Sequence, residues 1–307
     1  MSVFKFTQTI VKIFPPLMAC YLRELVYPYK RAKGDDVFYS RRSITGSLFT
    51  GSTKEFHSYW FGIHGFFDWR NIVIAKTVHN FNPNSEIIEV GANIGTETIG
   101  FADIVGKNGT VHAFEPLPVN QEEILKIKAN NLHLNINFYP VGLSDRNATV
   151  DFLVPPVNYS GIGRVVDNDS NSEAEIIKIN LHKLDDYHSH FKNISAIFID
   201  VEGHELYVLN GAKETIIKHK PIVVLEVSDS LLAENSLSSL DIFDFFKKHN
   251  YLCFNIGRFL LKRVTEKNIN NFRNHSNWVC LPASVPDLIF HIKKKLYKHI
   301  FIPLNKI

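Results

Sequence analysis

Acidic residues recur at the ends of apolar runs in this 307-residue chain: Glu89 in EIIEV, Glu115 closing TVHAFE, Asp200 with Glu202 after SAIFID, and Glu226 in IVVLEV. Short apolar runs of this kind form the buried strands of a parallel sheet. Ligands of such sheets bind beyond the carboxyl ends of the strands, at the crevice where strand order reverses. A carboxylate placed there can accept hydrogen bonds from a diol or an ammonium group, take a proton from a hydroxyl, or help to hold a divalent cation. A single acid at a strand end has an ordinary alternative, capping the next helix or pairing with a surface lysine. Acids at four strand ends point to a site.

The first of these strands runs into the glycine turn GANIG, with Gly91 and Gly95 flanking Asn93. A residue without Cβ lets the backbone turn sharply and approach a ligand. A helix predicted from about Ile94 would present unpaired N–H groups there. Glu115 follows at the distance from the turn where an acid can accept from two ribose hydroxyls. Dinucleotide sites need G-x-G-x-x-G, and Asn93 occupies the middle glycine position. Glu89 would oppose a diphosphate but attract a sulfonium and an amino group. The turn therefore fits S-adenosylmethionine better than NAD, and an NAD-dependent oxidoreductase is a distant alternative.

These acids need a frame. Between residues 86 and 281 strands alternate with helical patterns, the signature of an α/β, doubly wound, mostly parallel sheet. Helices are expected over 118–131, 203–219 and 237–250, and parallel strands over 137–141, 195–201 and 222–227. Short strands are expected over 149–154 and 176–180, and a closing antiparallel pair over 251–256 and 278–281. Residues 167–175, DNDSNSEAE, read as an exposed loop. The expected organisation is an N-terminal helical extension over 1–83 that could serve as a lid, a catalytic domain over 84–283, and a basic amphipathic helix over 284–307.

Composition narrows the class. The chain is 45% hydrophobic, enough for a substantial core, and carries 34 Lys plus Arg against 31 Asp plus Glu, which gives no nucleic-acid signal. Cys20, Cys253 and Cys280 are too few and too scattered for a disulfide framework or a zinc site. A reducing cytoplasm is the simplest setting. The apolar N-terminus is broken by Lys5, Gln8, Lys12, Pro15, Pro16, Arg23 and Glu24, so neither a membrane span nor a signal peptide is expected. Its Phe4, Ile10, Phe14, Leu17, Tyr21, Leu25 and Tyr29 suit helices packed on a core. Near the C-terminus Leu288, Ile289, Ile292, Leu296, Ile300 and Phe301 alternate with Lys293, Lys294, Lys295 and Lys298. That helix either docks on its own domain or lies on anionic lipid.

Taken together, EVGANIG, VHAFEPLPVN, YPVGLSD, IDVEGHELYVLNGA and PIVVLEV resemble the FkbM-type family of S-adenosylmethionine-dependent methyltransferases over roughly residues 86–227. The resemblance implies a class I methyltransferase fold, to which this chain adds the helical extension expected at each end, and O-methylation of a hydroxyl on a sugar, a glycan or a small natural product. It implies that Glu89, Gly91, Asn93 and Gly95 surround the methionine part of the cofactor and that Glu115 holds the ribose. Ser144 and Asp145 match the segment that borders the adenine, and Asn120 gives local support. The chain departs from the family pattern at Glu89, where Asp is commoner, at Phe198, where Lys is commoner, and at His204, where a small residue is usual.

Methyl transfer needs alignment of an acceptor oxygen and removal of its proton. Asp200 is the first candidate for base or orienting group, and His204, one turn on, is the second. Glu202, Glu226, Tyr159 and Ser160 are candidate acceptor contacts, the last two within the loop 158–164. The aromatic segment Tyr59 to Trp69 could close over the cofactor, although its rings also suit a core. Asp200, Glu202 and Glu226 could hold Mg²⁺, but nothing in the spacing requires a metal, and His182, His188 and His190 read as exposed residues of a polar helix. A nucleic-acid methyltransferase and a non-catalytic binding module are the alternative functions. The first would need a basic path, which only the Lys293–Lys298 cluster suggests.

Overall fold

The computed structural model describes residues 2–156, 159–165, 175–272 and 275–304. Asn158 and almost all of the 167–175 loop lie outside them. Helices α1 (Val3–Val11), α2 (Pro16–Val26) and α3 (Tyr29–Asp35) open the chain. Pro16 stands at the start of α2, where a missing N–H costs nothing. The next segment departs from the all-helical expectation, because β1 (Phe38–Arg42) and β2 (Leu48–Ser52) form an antiparallel pair. Tyr39 and Arg41 alternate inward there with Phe38, Ser40 and Arg42 outward, a period of two that no helix could bury on one side. Helices α4 (Phe56–His64) and α5 (Trp69–Phe81) follow, N-capped by the carboxylates of Glu55 and Asp68.

The domain proper comprises β3 (Glu86–Val90), α6 (Thr98–Val105), β4 (Val111–Phe114), α7 (Pro118–Asn130) and β5 (Ile136–Tyr139). A side sheet follows, β6 (Gly142–Leu143), β7 (Ala148–Leu153), β8 (Arg164–Val165) and β9 (Ile176–His182). The chain returns through β10 (Ile194–Ile199), α8 (Glu205–Gly211), α9 (Lys213–His219), β11 (Ile222–Ser228), α10 (Asp229–Glu234) and α11 (Ser239–Lys248). It closes with β12 (Tyr251–Ile256), β13 (Leu261–Arg263), β14 (His275–Pro282) and α12 (Pro286–Phe301).

The main sheet has the order β13-β12-β14-β11-β10-β3-β4-β5. From β11 to β5 neighbours are parallel, and β14 enters antiparallel between β11 and β12. Strand order reverses at the β3–β10 boundary. Alternation sends Ile87, Ala113, Phe198 and Val224 to a core shared with α5, α6 and α12, and Ile88, Val90, Ile197, Ile199 and Leu225 to a core under α8 and α11.

Other boundaries moved for local reasons. The helix after β3 begins at Thr98 rather than near Ile94, because Gly91, Asn93 and Gly95 all have positive φ and spend that stretch turning. The helix expected over 203–219 breaks at Ala212, and α9 gains its own N-terminus when Asp185 accepts from the N–H groups of Glu214 at 2.9 Å and Thr215 at 2.8 Å. The helix expected over 237–250 starts at a capping box formed by Ser238 and Asp241, with α10 as a separate turn before it. His182 closes strand β9, and only His188 and His190 lie in a 3₁₀ segment. At the N-terminus Phe4, Val11, Ala19 and Tyr27 are buried, but Tyr21 and Leu25 face outward. In α12 Leu288, Ile292, Leu296 and Ile300 enter the first core and Ile289 packs against it, whereas Phe301 of the apolar stripe read from the sequence faces outward.

Candidate active site

Register explains how scattered acids meet. Glu89 lies between Phe198 of β10 and Ala113 of β4, and Phe198 lies beside Val224 of β11. Two residues further on each strand brings Glu226, Asp200, Gly91 and Glu115 to one level on that same sheet face. The ladder persists to that level, since Asp200 donates its N–H to the Val90 carbonyl and Gly91 donates to Phe114, both at 3.0 Å. Glu226 and Asp200 are therefore lateral neighbours, and Glu115 stands across the space that Gly91 leaves without a side chain. All four line a cavity of about 410 Å³, within the range of small-molecule sites.

Gly91 has a second reason to be glycine. Its φ is +81°, and a Cβ would fall 1.9 Å from the Asp200 carbonyl oxygen. Gly95 serves packing instead: a Cβ there would meet Ile127 Cδ1 at 2.5 Å, and Gly95 does not line the cavity. Ser144 and Asp145 also lie off the cavity wall. Ser144 is buried at the end of β6, where its Oγ pairs with His204 Nε2 at 2.9 Å. Gly211 of the VLNGA segment lets α8 press on that spot, since a Cβ would come 1.9 Å from the Ser144 carbonyl oxygen.

Glu115 is buried and already fastened. Its carboxylate accepts from the N–H groups of Asn93 at 2.8 Å and Leu117 at 2.9 Å, and from the Asn120 amide at 3.4 Å. Three donors fix its plane and leave lone pairs toward the cavity. Burial nevertheless pushes its carboxyl up to about 7, against those hydrogen bonds. Burial likewise pushes Glu89 up to about 8, with the charge of Glu115 acting the same way. Glu89 Oε2 and Asn93 Oδ1 are buried acceptors with no partner among the described residues, and both residues line the cavity. A cationic ligand carrying N–H donors fits such acceptors, whereas a diphosphate does not.

Asp200, Glu202 and Glu226 bring carboxylate oxygens within 4.8 Å of one another. Asp200 is exposed and lines the cleft, where desolvation by the surrounding protein raises its pKa while His57 and His275 oppose the rise. Burial and then the charge of Asp200 raise Glu202 to about 8. The same two causes raise Glu226, although His275 Nε2 lies 2.8 Å from its carboxylate. Carboxylates this close share protons or share a cation. Glu202 takes a left-handed backbone, φ +51°, which for a glutamate is strain held at a ligand-facing loop. His204 lines the same wall, stacks on Tyr207, and burial lowers it to about 4, so it is neutral at physiological pH.

The remaining walls come from the N-terminal extension. Phe56, His57, Phe67, Asp68 and Asn71 line the cavity, while Tyr59, Phe61, Phe66 and Trp69 are core. The loop carrying Tyr159 and Ser160 roofs it: Tyr159 stacks on Phe56 with centroids 5.4 Å apart, and Ser160 Oγ donates to Glu55 at 3.0 Å. Gly161 permits that contact, because a Cβ would sit 2.6 Å from the His57 ring. Sequence reasoning overlooked Glu97, His57, Asn71 and His275. Glu97 receives both Asn71 amide contacts, at 3.1 and 3.2 Å, and burial followed by the charge of Asp68 raises its pKa strongly. Its signal was present, an acid just past the glycine turn, but it reads as an ordinary helix-start acid. His57, Asn71 and His275 carry no motif.

A doubly wound sheet with one antiparallel strand slipped in beside its last parallel partner, and an acid-lined cleft at the switch point, define a class I methyltransferase. The model of the methyltransferase FkbM domain matches residues 89–253, and the chain belongs to the FkbM methyltransferase family. It is 28% identical over 179 residues to the 2-O-methyltransferase NoeI of Sinorhizobium fredii strain NGR234, covering 53% of this chain and 71% of that protein. A solved FkbM methyltransferase from Methylobacillus flagellatus is 14% identical with a TM-score of 0.42, covering 91% of this chain and 58% of that one. A putative methyltransferase from Streptococcus mutans, solved with S-adenosylhomocysteine, is 10% identical with a TM-score of 0.39, covering 70% of this chain and 98% of that one. Both structural likenesses are loose.

Proposed function

We propose that this protein transfers the methyl group of S-adenosylmethionine to a hydroxyl oxygen of a sugar or glycan, or of a small natural product with similar hydroxyls. The family and the relative named as a 2-O-methyltransferase support the reaction class. The observation that carries the reading is the single-face row of Glu115, Gly91, Asp200 and Glu226. S-adenosylmethionine, when bound, supplies an electrophilic methyl on a sulfonium. Glu115 would orient the ribose hydroxyls, and Glu89 with Asn93 would receive the ammonium end. Asp200 would accept or orient the proton of the acceptor hydroxyl, helped by the burial that raises its basicity. Glu202 and Glu226 would complete the acceptor wall, and Mg²⁺ is the kind of cation that the three carboxylates would take. Tyr159 and Ser160, held to the N-terminal extension, would keep water from the reacting centre.

Thermal-shift measurements test the cofactor: stabilisation by S-adenosylhomocysteine but not by NADH is expected, and the reverse would end the reading. Labelled S-adenosylmethionine incubated with fractionated glycans, lipids, RNA and small metabolites tests the acceptor. Label in the glycan or small-metabolite fraction is expected. Label confined to RNA would favour the nucleic-acid reading.

A further inference from the structure

Helix α12 is apolar on two faces. Leu288, Ile292, Leu296 and Ile300 are buried in the core, whereas Phe290, Tyr297 and Phe301 are 63%, 52% and 64% exposed. Phe290, Lys294, Tyr297 and Phe301 follow one another at intervals of four, three and four and form a single outward stripe, which Lys293, three residues after Phe290 and four before Tyr297, flanks. Beside it projects the turn between β12 and β13, whose Phe259 and Leu260 are 56% and 58% exposed. Phe290, Lys293, Lys294 and Tyr297 of α12 and the turn together bound a second cavity of about 420 Å³, separate from the candidate active site and lined also by Trp69. Arg70, Arg258, Lys293 and Lys294 also line it, and no carboxylate does. None of these four cations pairs with a carboxylate among the described residues. Arg258 lies 5.4 Å from the Phe259 ring centroid and Lys293 lies 4.8 Å from that of Phe254. No described helix is long and apolar enough to cross a membrane.

A contiguous patch of exposed aromatic and aliphatic side chains, ringed by charges of one sign, calls for an occupant. The occupant must offer apolar chains and anionic groups side by side. We propose that this face docks on an anionic phospholipid bilayer, with Phe259, Leu260 and the outward stripe of α12 at the headgroup–acyl boundary and Arg258, Lys293 and Lys294 against the phosphates. The docking stripe adjoins the face of α12 that buries in the domain, since Leu296 and Ile300 of that face line the same cavity. It is independent of the methyl-transfer reading.

The test is sedimentation of the full chain with vesicles of phosphatidylcholine alone or mixed with phosphatidylglycerol, at low and high salt. Truncation at Pro286 would strip a core helix, so surface variants are used instead. Co-sedimentation with the anionic vesicles only, weakened by salt, is expected. Lys293→Glu with Lys294→Glu, and separately Phe259→Ser with Leu260→Ser, should release the protein at unchanged melting temperature. Removing one cation should weaken binding roughly fivefold. Failure to sediment with anionic vesicles, or sedimentation untouched by both double variants, would overturn the proposal. Formation of a dimer that Phe259→Ser with Leu260→Ser abolishes would also overturn it, assigning the face to a second copy.

Discussion

The Cα of Gly91 is packed so closely on the backbone of Asp200 that a methyl group there would reach within 1.9 Å of the Asp200 carbonyl oxygen. The glycine turn proposed for the cofactor and the candidate base are thus one packed unit. Gly91→Ala adds this clash to a φ of +81°, and should cost more than about 2 kcal/mol of stability and shift Asp200. Chemical denaturation and S-adenosylhomocysteine titration check it. A variant of wild-type stability and affinity would refute the coupling.

Glu115→Ala removes an acceptor fixed by Asn93, Leu117 and Asn120. Charged hydrogen bonds are worth ~1.5–3 kcal/mol, so affinity for S-adenosylhomocysteine should fall roughly 10–100-fold. Calorimetry reads the change. An unaltered affinity would remove Glu115 from the cofactor site.

Asp200 and His204 separate by their surroundings. Asp200→Asn should lower kcat by roughly 10²–10⁴-fold while S-adenosylhomocysteine still binds. His204→Gln should lose less than about tenfold, because its Nε2 is engaged with Ser144 and the exchange removes about one hydrogen bond. If the histidine variant proved the more damaged, with folding intact, the roles would be exchanged.

Stability should fall as pH rises. Glu89 and Glu202 are raised to about 8, and Glu115 and Glu205 to about 7, from an ordinary 4.5. Between pH 4.5 and 8 the folded chain therefore binds more protons than the unfolded one, and unfolding free energy declines with pH. Melting temperature should be highest near pH 5 and drop toward pH 9. Glu226→Gln, which removes one of three crowded carboxylates, should flatten the decline. Melting curves across pH measure this, and a rising curve would contradict the site electrostatics. Recovery of the high-pH melting temperature by Mg²⁺ would show a shared cation, and its failure would show shared protons.

The roof gives a further expectation. Glu55→Ala frees Ser160 and His57 together, since Glu55 accepts from Ser160 at 3.0 Å and faces His57 at 2.9 Å. It should raise KM for the acceptor more than it changes kcat. Initial-rate kinetics with the identified acceptor would show the split, and equal effects would argue against a roof.

Much of this protein was legible in its residues. Apolar runs ending in Glu89, Glu115, Asp200 and Glu226 determined a parallel sheet with acids at its carboxyl edge, and a period of two then obliges side chains in register to share a face. The glycine turn with Asn93 pointed to the kind of ligand. What only the tertiary structure decided is whatever depends on contacts between distant segments. Gly95 answers to Ile127 and Gly211 to Ser144, so glycines that read alike along the chain serve packing as well as binding. Ser144 lies off the cleft and against His204, and His57 reaches the cleft from an extension predicted to be wholly helical. Helix α12 shows the limit most plainly. Its helical spacing was certain, but with apolar residues on two faces, spacing could not say which of them the core would claim.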